Sequence, residues 1–245
     1  TAETKALVAK AAEAAKAHLD FPAFKLENKI DISIAKDYAT SETEKLSIYL
    51  VDETSAEEFG HMAFEDSPPE KELTILKARM IFPDGSFIDP KPEEGAYDLK
   101  LARRLQSVKF LGAKAGCLIQ LEKKTTGLGG HAIPFLDERE IVQDETPSDS
   151  TVVTVTIPLD LKVDFKVYNS SAKAEPGSST PYAKTTIFNF GAVPAYEPLP
   201  NDPPAMDCIA RLEISSLASW DEFTSWANRI TANNNTVDEP TKKIV

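Results

Sequence analysis

Nine short runs rich in β-branched residues constrain this 245-residue chain most strongly. They lie between residues 24 and 215, are separated by Pro, Gly, Asp and Ser clusters, and have no crossover helix pattern among them. The runs are 29–34, 45–52, 73–82, 107–112, 117–123, 151–157, 162–169, 184–191 and 208–215. Because parallel α/β folds need crossover helices, the pattern predicts a mainly β fold built as an antiparallel sandwich.

A helix is predicted before the first strand. Residues 3–18, "ETKALVAKAAEAAKAH", consist largely of Ala, Lys and Glu, which are strong helix formers. Leu7 and Val8 are its only large apolar side chains, so we expect a thinly anchored helix on the surface that ends before Pro22. We accordingly divide the chain into a surface helix (1–20), a β-sandwich domain (21–230) and a linker (231–245).

A short helix is predicted near the carboxyl end. Ser219 and Glu222 match a capping box, in which each side chain would accept from the backbone amide of the other residue. An apolar stripe follows, with Trp226 near its edge, and consists of Trp220, Phe223, Ala227 and Ile230. We expect Trp220 and Phe223 to fasten this helix to the sandwich rather than to stack on a sugar, since most buried aromatic residues serve the core.

A hairpin tip is predicted at "FPDGSF" (82–87). Pro83 presets the first corner of the turn, and Asp84 and Gly85 tolerate the backbone angles that the turn needs. Apolar alternation on both sides supports a hairpin. By contrast, the small and polar segment 170–183 is predicted to be a loop.

The charge of the chain excludes several classes of partner. Its formal net charge is −12, whereas nucleic acid binding and electrostatic docking on anionic lipid both need a basic surface. No run of eighteen apolar residues exists that could insert into a membrane. We therefore expect neither a nucleic acid partner nor membrane insertion.

Catalytic and metal-binding patterns are weak in this sequence. Cys117 and Cys208 both occur in strand-like apolar runs, which favours buried free thiols, although one bridge between them stays open. A Cys117–His131 dyad is allowed by spacing but lacks an activating helix. Acidic pairs such as 137–138 are interpreted as solvated surface. We assign no catalytic, cofactor-binding or metal-binding residue, and the structural or interface candidates are Pro83, Asp84, Gly85, Ser219, Trp220, Glu222, Phe223 and Trp226.

Four segments, taken in order, carry a family resemblance. They are 18–34, 70–90, 105–124 and 211–230, and they include the Pro-Asp-Gly hairpin, a small-small-Gly turn at Ala115–Gly116 and a serine before a helix-starting tryptophan. Together they resemble a bacterial domain family of unknown function that directly precedes transglutaminase-like domains in exported proteins. The resemblance implies an immunoglobulin-like sandwich, a periplasmic or cell-surface location, and catalysis by a Cys-His-Asp domain beyond Val245.

Three hypotheses follow for function. The leading one is a non-catalytic N-terminal β-sandwich that scaffolds, or presents substrate to, a downstream catalytic domain or another protein partner. The second is a free-standing exported module that binds a glycan or polypeptide, or that self-assembles through its edge strands. The third is an enzyme that uses Cys117 with His131. The sequence leaves the oligomeric state open.

Overall fold

A computed structural model of the chain describes residues 1–98, 101–128, 135–199 and 202–234. Strands form 48% of the structure and helices 18%, which confirms the mainly β class with a helix at the amino end. The helices are α1 (Ala2–Ala14, followed by a 3-10 turn Ala15–Ala17), α2 (Glu53–Phe59), α3 (Ala205–Cys208) and α4 (Trp220–Asn234).

The strands overlap all nine predicted runs. They are β1 (Ala23–Ile34), β2 (Thr40–Leu50), β3 (His61–Asp66), β4 (Lys71–Ile81), β5 (Phe87–Ile88), β6 (Glu93–Glu94), β7 (Arg104–Lys109), β8 (Leu118–Gly127), β9 (Asp137–Ile141), β10 (Ser148–Pro158), β11 (Asp164–Tyr168), β12 (Ala174–Ser179), β13 (Ala183–Val193) and β14 (Arg211–Ser215). Five further strands, β3, β5, β6, β9 and β12, were not predicted, and none of them is longer than six residues. Since β12 occupies six residues of 170–183, the loop prediction for that segment was wrong there.

The strands form one large sheet and two small ones. The large sheet has eight strands in the order β12-β13-β10-β1-β2-β8-β4-β5, and the small sheets have the orders β11-β14-β9 and β3-β7-β6. The predicted antiparallel arrangement is wrong at one place, because β1 and β10 pair in parallel from Lys25–Ser148 to Ser33–Thr156. The chain between them returns through other strands instead of a crossover helix, so the lack of such a helix did not exclude a parallel pair.

Both small sheets cover the same face of the large sheet. Residues that lie opposite each other on neighbouring strands point to the same side of a sheet, and Ile30 lies opposite Glu44 of β2. Every second residue of a strand also shares a face, so Glu44, Leu46 and Ile48 point to the same side as Ile30. Ile30 belongs to the core under β11-β14-β9, whereas Leu46 and Ile48 belong to the core next to β3 and β7. The two cores therefore lie on one face of the large sheet.

Helix α1 covers one end of the opposite face. Val8 and Ala11 are buried in a third core cluster with Phe24 of β1 and Leu118 of β8. The helix does lie on the surface of the molecule, as predicted, but small alanines bring its backbone close to the sheet and anchor it more firmly than its two large apolar residues suggest.

Candidate functional site

The predicted hairpin tip is present and receives α1. Pro83, Asp84 and Gly85 connect β4 to β5, and the Asp84 carboxylate accepts from the Ser86 amide at 2.9 Å. Gly85 has φ of 84°, and a Cβ there would lie 2.2 Å from Cγ of Lys5 on α1. The Thr4 hydroxyl donates to the Gly85 carbonyl at 2.7 Å. These contacts give the hairpin a structural role, which is to dock α1.

The predicted cap of α4 is present in altered form. The Glu222 amide donates to Oγ of Ser219 at 3.3 Å, as expected. The Glu222 carboxylate, however, accepts from the Ala218 amide at 3.1 Å instead of the Ser219 amide. Its interaction therefore reaches one residue further back than the capping box predicts.

The aromatic residues of α4 are arranged differently from the prediction. Trp220 is 78% exposed, and among the aromatic residues that the structure describes its ring contacts that of Phe223, so it does not fasten the helix to the sandwich. Phe223 and Trp226 instead pack on Phe135, with ring centroids 5.8 Å and 5.2 Å away. Phe135 was not foreseen, since it lies outside every predicted strand.

A cleft of about 590 Å³ lies where the β11-β14-β9 sheet and α4 face the large sheet, whose strands β1, β2, β4 and β8 contribute to its lining. We call it the acidic cleft, because glutamates of β2 and of β9 line it from opposite sides. Its lining also includes the rings of Tyr38, Phe135 and Phe223. The charged residues in the lining are Glu42, Glu70, Lys71, Asp137, Glu138, Arg139 and Glu140. Of the predicted interface residues that the structure describes, Phe223 alone lines this cleft.

Strand alternation explains how the carboxylates reach the acidic cleft. Glu42 and Glu44 take the positions on β2 that continue the alternation of Leu46 and Ile48, so they face the same side. On β9, Glu138 and Glu140 lie opposite the fully buried Ile214 and Leu212 of β14, so they too face inward. Asp137 and Glu138 are both exposed, as interpreted from the sequence, and both also line the cleft.

One ion pair crosses the floor of this region. The Lys123 ammonium lies 2.6 Å from the Glu44 carboxylate, with exposed side-chain fractions of 20% and 15%. Burial alone would lower the pKa of Lys123, but the charge and hydrogen bond of Glu44 outweigh it and raise that pKa. Lys123 therefore stays charged and is committed to Glu44.

The negative charges of the β9 glutamates are less well compensated by nearby cations than that of Glu44 is by Lys123. Burial raises the pKa of Glu140 well above its usual range, and the charges of Glu42 and Glu44 raise it further, with a hydrogen bond to Glu42. Burial also raises the pKa of Glu138, against the opposing charge of Lys71. Glu138 has solvent-accessible surface within the cleft, yet protein surrounds it closely enough for desolvation to dominate. Glu140 therefore holds its proton to a higher pH than an exposed glutamate does.

A second buried charge site has the opposite character. Asp66 of β3 is 3% exposed and accepts from the Arg104 guanidinium of β7 at 3.1 Å and 2.5 Å, and from the Leu73 amide of β4 at 3.1 Å. Burial would raise the pKa of Asp66, but these hydrogen bonds lower it below its usual range. The site links the β3-β7-β6 sheet to the large sheet through compensated charge.

The two cysteines differ in burial. Cys117 is fully buried directly before β8, and burial raises its pKa, so it is predominantly a neutral thiol. Cys208 lies half-exposed at the end of α3, which corrects the prediction of a buried strand position. Both thiols are free, and His131 falls outside the described residues.

The described ranges contain no group of three or more His, Cys, Asp or Glu residues arranged to hold a metal ion. Within those same ranges, no helix has the length and apolar character needed to cross a membrane.

Comparison with solved structures shows the fold. Neither the models of known protein families nor the curated protein sequences match this chain. A "putative protease" from Parabacteroides distasonis superposes with a TM-score of 0.72 over 81% of this chain and 41% of its own length, at 18% sequence identity. A zinc metallopeptidase from Deinococcus radiodurans gives a TM-score of 0.45 over 78% of this chain and 42% of its own, at 10% identity. The chain thus spans less than half the length of either protein.

Proposed function

We propose that this β-rich domain is the non-catalytic N-terminal portion of a larger exported bacterial protein, where it scaffolds a transglutaminase-like Cys-His-Asp domain and presents substrate to it. We further propose that the fold is an immunoglobulin-like β-sandwich and that the chain belongs to the domain family that precedes transglutaminase-like domains. Its location would be the periplasm or the cell surface. Its partner would be the downstream domain of the same protein.

One observation carries this proposal. The fold extends over 81% of this chain but only 41% of the Parabacteroides protein, which is described as a putative protease. A domain of this shape therefore occurs as a part of a longer chain. The four ordered segments and the buried, neutral thiol of Cys117 support a role without chemistry of its own.

Two experiments test this proposal. The coding sequence beyond Val245 should contain a Cys-His-Asp module, and a stop codon or an unrelated module there would overturn the assignment. If the module is present, co-expression of the two parts as separate chains should yield a complex by size-exclusion chromatography. Independent elution of two folded parts would contradict the scaffold role.

The native thiol chemistry separates this proposal from the enzyme hypothesis. Cys117 should react with iodoacetamide far more slowly than an unfolded control at pH 7.5, because the side chain is fully buried. Cys208, which is half-exposed, should react first and provides the internal comparison. Faster alkylation of Cys117 than of Cys208 would instead favour the Cys117–His131 dyad.

The acidic cleft favours one alternative function, a free-standing exported binding module. The cleft has a volume of about 590 Å³ and is lined by aromatic rings and carboxylates. Such a lining suits a basic polypeptide segment better than a neutral glycan. Calorimetric titration with a lysine-rich peptide and with an acidic peptide of equal length would test this. Preference for the basic peptide, reduced in Glu138→Gln, supports the alternative, and equal or absent binding excludes it. Light scattering would test self-assembly, which a monodisperse monomer would exclude.

A further inference from the structure

We propose that the acidic cleft binds an extended, basic segment of another polypeptide, which adds as a further strand to the free edge of β9. This inference rests on the binding-module function given above as the alternative, and it specifies how the binding takes place. It does not depend on a downstream catalytic domain.

Strand β9 has an unprotected edge. It ends the order β11-β14-β9, and within the part of the chain that the structure describes no strand pairs with its other side. The edge strand β12 of the large sheet contains Pro176 and shifts register against β13, which are features that discourage pairing with another chain. By contrast, β9 has no proline, keeps one register with β14, and exposes four of its five residues.

The hydrogen bonds to β14 show which backbone groups of β9 stay free. The Val142 amide donates to the Ala210 carbonyl at 3.0 Å, and the Ser216 amide donates to the Leu136 carbonyl at 3.1 Å. Since backbone groups alternate in direction along an antiparallel ladder, the even-numbered residues of β9 bond to β14 and the odd-numbered ones point away from it. These outward residues are Asp137, Arg139 and Ile141. Each can donate and accept one bond with an added strand.

This free edge opens into the acidic cleft. Every residue from Phe135 to Glu140 contributes to the lining, although the side chains of successive strand residues point to opposite faces. A strand that lines a cleft with residues of both faces presents its backbone edge to it. The large sheet forms the opposite side of the cleft, so a segment laid along β9 would lie between two sheets. The five residues of β9 extend over about 17 Å, which limits the segment that can pair.

The charges of the cleft favour a basic segment. Among the described residues, the charged side chains of the lining are Glu42, Glu70, Lys71, Asp137, Glu138, Arg139 and Glu140. Burial raises the pKa of Glu140, but even with that carboxyl protonated four carboxylates accompany two cations. One of the cations, Arg139, lies 3.4 Å from the Glu213 carboxylate. A segment with Lys or Arg at alternate positions would therefore meet mainly opposite charge.

A second copy of this chain fits the same edge poorly. In an antiparallel pair of two β9 strands, residues with outward backbone groups lie opposite each other. Glu138 and Glu140 of one copy would then face the same glutamates of the other copy. Like charges directly opposite each other destabilise a strand pair, and each chain carries a formal net charge of −12. The edge therefore suits a basic partner better than self-assembly.

Two substitutions at one position separate strand addition from charge attraction alone. Arg139→Gln and Arg139→Pro remove the same positive charge, but only proline also removes the outward amide, which makes no bond to β14. The probe is a short peptide in which lysine and threonine alternate, titrated calorimetrically into the full chain, with a glutamate–threonine peptide as the non-binding control. Arg139→Gln should bind at least as tightly as the unaltered chain, and Arg139→Pro should bind about fivefold or more weakly. Equal affinities of the two variants would overturn strand addition.

Backbone-methylated peptides repeat the test on the unaltered protein, and they decide it if circular dichroism shows that Arg139→Pro is unfolded. One peptide carries N-methyl groups on its lysines and the other on its threonines. Successive amides of an extended strand point to opposite edges, so only one of the two peptides should lose affinity. Similar affinities of both methylated peptides would overturn strand addition but leave the binding-module function standing. Absence of binding by the unmethylated peptide would overturn both.

Discussion

The two small sheets lie on the same face of the large sheet but are joined to it by opposite electrostatics. The β3-β7-β6 sheet is fixed by Asp66, whose buried carboxylate is matched by Arg104 and the Leu73 amide. The β11-β14-β9 sheet instead brings Glu140 toward Glu42 without a dedicated cation, and it leaves a cleft. The buried charge is thus compensated in one sheet contact, whereas in the other the pKa of the glutamate is raised.

The largest expected effect comes from breaking the compensated sheet contact. Asp66→Ala leaves the buried Leu73 amide without its acceptor and leaves the Arg104 guanidinium with the exposed Glu94 carboxylate, so we expect a loss of about 3–5 kcal/mol in the free energy of unfolding. Urea denaturation at pH 7 measures it. Glu65→Ala, which removes an exposed pair with Arg103, is the control and should cost about 0–1 kcal/mol. Equal losses in the two variants would show that the Asp66 site contributes nothing special.

A smaller effect is expected at the aromatic contact beside the acidic cleft. Phe223→Ala removes the ring that packs on Phe135 and Trp226, and because Phe223 is half-buried we expect about 1–3 kcal/mol, below the cost for a fully buried ring. Thermal unfolding monitored by circular dichroism would measure this. Trp220→Ala, at a ring that is 78% exposed, should change stability by no more than about 0.5 kcal/mol. The reverse order would restore Trp220 as the anchor of α4.

The sheet contact at the acidic cleft should gain stability when its charge is removed. Because the folded-state pKa of Glu140 is raised, its ionisation lowers stability as pH rises from the unfolded value of about 4.3 through the folded value. Glu140→Gln should therefore raise the melting temperature at pH 8 by about 2–4 °C for each kcal/mol recovered, and change it little at pH 4. Calorimetry at both pH values checks this, and a destabilised variant at pH 8 would contradict the sign.

The sequence predicted the fold better than the site for a physical reason. Alternation along β2 or β10 is local, so each strand was visible in its own residues. The acidic cleft depends on Glu42 and Glu140, nearly a hundred positions apart, and on a register that no local pattern specifies. One signal was available, because Glu44 and Glu42 continue the inward positions of Leu46 and Ile48 with charge in place of apolar side chains.

Contacts between distant parts of the chain also caused the errors at α4 and at β1. The stripe that starts at Trp220 is genuine as a helical period, but its burial depends on Phe135, which no pattern in the helix specifies. Likewise, the parallel pairing of β1 with β10 joins segments separated by the whole middle of the chain. Periodicity therefore identified the elements, whereas tertiary partners decided which of their faces were covered.

Carbon-detected NMR titration of the side-chain carboxyls compares the two sheet contacts most directly, because it follows Asp66 and Glu140 in one sample. We expect Asp66 to titrate below the ordinary aspartate pKa of about 3.9 and Glu140 to titrate above the ordinary glutamate pKa of about 4.3. Ordinary values for both carboxyls, or a Glu140 pKa below the glutamate value, would contradict the claim that one sheet contact is compensated and the other is not.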